Sequence, residues 1–128
     1  LTNLMQMARK VNNNKTEWVL SQIIQSINNF KKNSYKDICV GFLGLSYKPN
    51  VDDLRESPAL KIVKKIVDLN IKTIICDPHF KNIEGLEISS SDQLIKKADI
   101  IVCLVAHDYF KKLDFKGKKI IDFCGAFD

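Results

Sequence analysis

The longest apolar stretch in these 128 residues runs only from Ala98 to Ala106, far short of the ~20 consecutive apolar residues that carry a helix across a bilayer. No signal peptide opens the chain, so no membrane partner is expected and the cytoplasm is the default compartment. Closely spaced cysteine pairs are also lacking. Cys39, Cys76, Cys103 and Cys124 stand too far apart in sequence for a zinc knuckle, which removes the metal-module reading. The first three sit in apolar runs and read as reduced core thiols, whereas Cys124, beside Gly125, reads as the exposed one. A dense basic stripe with interleaved aromatics is missing too. The 20 Lys+Arg against 15 Asp+Glu give a net charge of +5, which suits a phosphate-bearing ligand or plain solubility. The lysines fall in scattered pairs such as Lys31-Lys32, Lys64-Lys65 and Lys111-Lys112, so a nucleic-acid partner is disfavoured. Finally, Gly41 and Gly44 are followed by no third glycine opening a helix, so a dinucleotide-binding turn is not expected.

What is present has the composition of one ordinary globular domain, 45% hydrophobic and without repeats. The chain starts at Leu1 rather than Met and reads as a piece of a longer protein. Thr2 to Arg9 and Thr16 to Phe30 are helical by pattern, with Val19, Leu20, Ile23, Ile24 and Ile27 forming one apolar stripe. Asn12-Asn13-Asn14 weakens the join between them, and Asn29 to Lys36 reads as a polar linker. A buried strand is expected over Ile38 to Leu45, then a polar loop from Ser46 to Glu56. The next helix opens at Ser57-Pro58, where Ser caps and Pro fits the first turn. It ends at Asn70. Lys72 to Cys76 is a second strand closed by the turn Asp77-Pro78-His79, and Leu86 to Ile88 a short extended piece. Ser91 is expected to cap a short helix over Asp92 to Lys97. The run Ala98 to Ala106 holds a central strand buried on both faces, a short helix follows His107, and Lys119 to Phe123 is the last strand. This alternation is that of an α/β fold: a Rossmann-like parallel sheet flanked by helices, preceded by an N-terminal helical segment. The division expected is a helical segment and linker over 1–34 and the sheet domain over 35–128.

The loop between the first strand and its helix is the candidate binding element. A helix N-terminus offers free N–H groups and partial positive charge, and Lys48 and Arg55 add full charges that a diphosphate or sugar acid needs. Arg55 has two readings, a ligand contact or a structural pairing with Asp52 or Asp53 that shapes the loop. His79 and His107 follow strands at the carboxyl edge, but neither has a neighbouring nucleophile in sequence, so no catalytic residue is assigned. A phospho-acceptor reading fails because Asp77 precedes Pro and no acidic pair ends the first strand.

The run from Gly44 to Ala59, Gly-Leu-Ser-Tyr-Lys-Pro-Asn-Val-Asp-Asp-Leu-Arg-Glu-Ser-Pro-Ala, closely resembles a signature in the C-terminal, nucleotide-sugar-binding domain of the UDP-glucose/GDP-mannose dehydrogenase family. The resemblance implies that Tyr47 and Lys48 contact a UDP-sugar, with Arg55 as a further candidate. It places Ala8-Arg9-Lys10-Val11-Asn12 in a long helix from a central domain that carries a homodimer interface, although Lys15-Thr16 stands where a Pro-containing pair is usual. Such enzymes oxidise an alcohol to an acid through a cysteine of the central domain, passing two hydrides to NAD. Neither that cysteine segment nor the cofactor loop occurs here, so NAD belongs to the N-terminal domain of a full enzyme and these residues alone are expected to be inactive. The segment Leu104-Val105-Ala106-His107-Asp108-Tyr109-Phe110 is similar to the branch acting on UDP-N-acetyl-hexosamines, which points to UDP-N-acetylmannosamine and to a polysaccharide or glycoconjugate precursor. UDP-glucose and UDP-N-acetylglucosamine are the runner-up substrates. Asp122-Phe123-Cys124-Gly125 resembles the family's Asp-x-Arg/Lys-Gly, but with Cys124 where a basic residue helps hold UDP. A non-catalytic nucleotide-binding module is the alternative of a different class.

Overall fold

Four short runs dominated by Ile, Val and Cys pair into one sheet in the computed structural model, which describes residues 15–30, 38–46, 57–83 and 85–127. These are Cys39–Leu43 (β1), Lys72–Cys76 (β2), Ile100–Cys103 (β3) and Lys119–Asp122 (β4). All pairings are parallel and the order is β2-β1-β3-β4. Every residue of β1 and β3 is buried, as near-continuous apolar runs in the middle of a parallel sheet must be.

Because side chains alternate along a strand, each central strand supplies both faces. Val40, Phe42, Ile75, Ile100 and Val102 point to one side, where the helix over residues 15–30 (α1) lays Val19, Ile23 and Ile27 and the helix Pro58–Asp68 (α2) lays Ile62, Val63 and Ile66. Leu43, Ile74, Ile101 and Cys103 point to the other, covered by Leu94 and Ile95 of the helix Ser91–Lys97 (α3), by Phe110 of a 3-10 turn over Asp108–Lys112, and by Phe115. The result is three layers with the sheet in the middle. At Gly41 a Cβ would lie 2.9 Å from Leu94 and Ala98, so a missing side chain lets α3 sit against the sheet.

The expected elements are in place with local differences. The cap of α3 is Ser90, whose side chain accepts from Gln93 N at 3.2 Å. Ser91 instead turns its hydroxyl to Tyr109 Oη, 2.9 Å away. Two adjacent serines offer equivalent caps, and packing under Tyr109 selects between them. Asn29 and Phe30, where the expected helix and the expected linker overlap, continue α1, because Phe30 gains contact with the core as the stripe's next turn. Thr2 to Arg9 and the remaining linker residues 31–37 lie outside the described residues.

Candidate functional site

The chain leaves β1 toward β2 on one side and reaches β3 on the other, so the connections at the carboxyl ends of β1 and β3 part and leave a crevice between them. Gly44 makes that exit possible. Its φ is +96°, and a Cβ there would lie 2.5 Å from Val105 Cβ, so both the backbone conformation and the space require glycine. Leu104 N and Val105 N both donate to Leu43 O, at 2.9 and 3.3 Å, clamping the two exits together. On the α1/α2 side this crevice opens into a cleft of about 290 Å³ lined by Lys15, Thr16, Ser46, Pro58, Ala59, Leu104, Phe123 and Cys124 among others. The cleft meets the first turn of α2, where Ser57 accepts from Leu60 N at 3.2 Å and donates its hydroxyl to Leu45 O. That helix start supplies partial positive charge, and Lys15 supplies a whole one.

Behind the crevice lies a buried polar knot drawn from three strand ends. Asp77, after β2, accepts from Leu45 N at 2.8 Å and from His79 N at 2.9 Å. Its Oδ2 also lies 3.0 Å from Nε2 of His107, after β3, and the same nitrogen is 3.2 Å from Ser46 Oγ, after β1. Ser46, Asp77 and His107 are all essentially inaccessible to solvent. Burial pushes the Asp77 carboxyl up, but the bonds from His107, Leu45 and His79 outweigh it and hold the group below its ordinary value. The trio is not a nucleophilic relay, in which a histidine uses one nitrogen for the serine and the other for the acid. Here a single nitrogen meets both partners, and the knot fixes where the chain leaves β1. Asp77, His79 and His107 also bring three ligand atoms within 4.8 Å of one another, but both Asp77 oxygens already serve these bonds.

The end of β4 forms the other cleft wall. Asp122 accepts from Cys124 N at 3.1 Å, Ala126 N at 3.2 Å and Phe127 N at 3.0 Å. Burial raises its pKa, those donors lower it, and the net direction is down. The turn curls Cys124 back until its Sγ stands 3.3 Å from Cys103 Sγ.

Tyr47, Lys48 and Arg55, with Asp52 and Asp53, lie outside the described residues. Their flanks are fixed: Ser46 and Pro58 both line the cleft. Cys124 is half-buried and lines the cleft. His79 and His107 come together, ring centroids 4.7 Å apart. The sequence reading treated both histidines and Asp77 as separate loop residues. The signal that could have joined them is positional, since each polar residue falls within four positions of the end of a parallel strand. The glycines present do not make a nicotinamide-cofactor turn, because Gly41 packs against Leu94 and Ala98 and Gly44 against Val105.

The sequence profile of the UDP-glucose/GDP-mannose dehydrogenase family, UDP binding domain, matches residues 41–128. The NDP-N-acetyl-D-galactosaminuronic acid dehydrogenase of Ralstonia solanacearum is 37% identical over 127 residues, covering 93% of this chain and 29% of that protein. The UDP-N-acetyl-D-mannosamine dehydrogenase of Campylobacter jejuni is 33% identical over 132 residues, covering 94% and 30%. Among solved structures, the UDP-N-acetyl-mannosamine dehydrogenase Cap5O from S. aureus matches with a TM-score of 0.78 at 29% identity, over 97% of this chain and 30% of that one. The chain spans less than a third of the length of each of these relatives.

Proposed function

Since the chain belongs to the UDP-glucose/GDP-mannose dehydrogenase family and matches its UDP-binding domain, we propose that it holds the nucleotide sugar for an NAD-dependent UDP-sugar 6-dehydrogenase. The proposed substrate is UDP-N-acetyl-D-mannosamine, oxidised to the uronate. The observation that carries the reading is the cleft at the strand-order reversal, bounded by the first turn of α2 and by Lys15. Partial and full positive charge converge there on a space suited to a diphosphate.

In this reading Tyr47, Lys48 and Arg55 reach the bound nucleotide sugar from the segment that joins Ser46 to Ser57. Residues 35–128 are the binding unit and 1–34 the helical segment and linker that lead in from a preceding domain, with the stripe of α1 docked on the sheet. NAD, the hydride acceptor, is held by a part of the full protein other than this chain. The working protein is a homodimer in the cytoplasm, the compartment suited to a charged substrate that does not cross a bilayer. Support for an N-acetyl-hexosamine comes from the relatives above and from the His107 segment. N-acetylgalactosaminuronate chemistry, named for the Ralstonia protein, is the nearest competitor, and UDP-glucose and UDP-N-acetylglucosamine follow.

The test is NADH formation by the full-length protein with each UDP-sugar in turn. Turnover with UDP-N-acetylmannosamine far above the others is expected, and preference for another sugar overturns the substrate assignment. No turnover with any of them, together with retained UDP binding, favours a nucleotide-binding module without catalysis. The contact residues have their own test. Lys48→Ala should weaken UDP-sugar binding by about 1.5–3 kcal/mol, the range for a hydrogen bond to a charged group. Unchanged affinity by calorimetry removes Lys48 from the site.

A further inference from the structure

We propose that Cys103 and Cys124 are a reactive dithiol, a covalent modification site that small-molecule disulfides such as oxidised glutathione convert to an intramolecular disulfide in the folded protein. The two sulfurs are already 3.3 Å apart. Parallel pairing brings them together, because Cys103 is in register with Asp122 and Phe123 N donates to Cys103 O at 3.1 Å. The Asp122 turn then folds Cys124 back over the strand end.

The pair is asymmetric in the way such exchange requires. Cys103 is fully buried, whereas Cys124 is half-buried and lines the cleft. An incoming disulfide therefore meets Cys124 first. The Cys124 thiolate attacks one sulfur, its proton passes to solvent, and the other glutathione leaves and is protonated to the thiol. Cys103 then gives up its proton and displaces the second glutathione from Cys124. Two protein S–H bonds and one small-molecule S–S bond are replaced by one protein S–S bond and two small-molecule thiols. The protein is oxidised by two electrons and glutathione reduced by two. Burial pushes the thiols of Cys39 and Cys76 up, and the neighbouring Cys124 together with burial does the same to Cys103. What singles out Cys103 is the second sulfur in place beside it, a contact that neither Cys39 nor Cys76 has among the described residues.

The reaction also reports on the cleft, and this half rests on the nucleotide reading above. A UDP-sugar in the cleft covers Cys124 and slows the first attack.

The experiment treats the reduced protein with oxidised glutathione and follows intact mass and peptide mapping, with and without UDP. The expected product has lost the mass of two hydrogens, and the link joins the peptides of Cys103 and Cys124. Cys103→Ser should stop at one glutathionyl group on Cys124, and Cys124→Ser should leave position 103 unmodified. A mixed disulfide that persists on wild-type Cys124, unreacted thiols at both positions, or a link between other cysteines overturns the dithiol. Because these arms include the unaltered protein, a variant that fails to fold does not rescue the proposal. If the link forms at the same rate with saturating UDP, the dithiol stands and the placing of nucleotide against this wall fails.

Discussion

Removing the Asp77 carboxylate, by Asp77→Ala, takes away the acceptor shared by Leu45 N, His79 N and His107 Nε2. Leu45 and His107 are fully buried, so neither donor regains a water, whereas the amide of His79 lies nearer the surface. Stranding Leu45 N costs about 1–3 kcal/mol, and His107 Nε2, which keeps Ser46 Oγ at 3.2 Å, gives up a bond to a charged group worth about 1.5–3 kcal/mol, for a sum of roughly 2.5–6 kcal/mol. That is a large part of the ~5–15 kcal/mol that holds an ordinary domain folded. Asp77→Asn separates geometry from charge. One amide oxygen in the place of Oδ2 still accepts from both buried donors, and what goes is the bond to His79 and the charge assistance. A loss of about 1–2 kcal/mol is expected, in the range of a single hydrogen bond. The assay is urea unfolding of the three proteins at neutral pH, by fluorescence and circular dichroism. If Asp77→Ala lies within about 1 kcal/mol of wild type, or if the two substitutions cost the same, the knot does not act as described.

Acid should reach the same group from another direction. The folded pKa values of Asp77 and Asp122 are both held down, so their contribution is present above the unfolded value of about 3.9. It is lost as pH falls from there through the depressed folded values. Acid titration of stability should show a shallower loss in Asp77→Asn, and an identical profile would contradict the assignment. Gly44→Ala must place a Cβ 2.5 Å from Val105 Cβ at a φ of +96°. A destabilisation of about 2–4 kcal/mol from strain and overpacking is expected in chemical denaturation, and a neutral result would refute the clamp. Cys124→Arg introduces the charge that the family resemblance implies for this position, which is half-buried and lines the cleft. Tighter UDP binding that weakens with added salt is the expected titration result. A lowered melting point without gain in affinity would mean that the guanidinium is buried unpaired.

The sequence alone determined the layers. The unbroken burial of Cys39–Leu43 and Ile100–Cys103, and the stripe Val19, Ile23 and Ile27, follow from apolar runs and apolar spacing, a local property that each segment carries by itself. The same holds for the Ser57-Pro58 helix start, where a cap bond forms within one turn. Family membership was legible for a related reason, since the run from Gly44 to Ala59 is contiguous. Only the tertiary structure decided which polar residues meet. Ser46, Asp77 and His107 are 30 or more positions apart along the chain, and Cys103 and Cys124 are 21 apart. Their contacts depend on strand order and register, and many sequences with the same local patterns satisfy different orders. The choice between Ser90 and Ser91 as a cap was likewise settled by a distant side chain, Tyr109. Spacing fixed which faces are buried, because burial repeats with the backbone's own period. The cleft required the sheet, because only β1 and β3 lying side by side bring the two exits that form it to one edge.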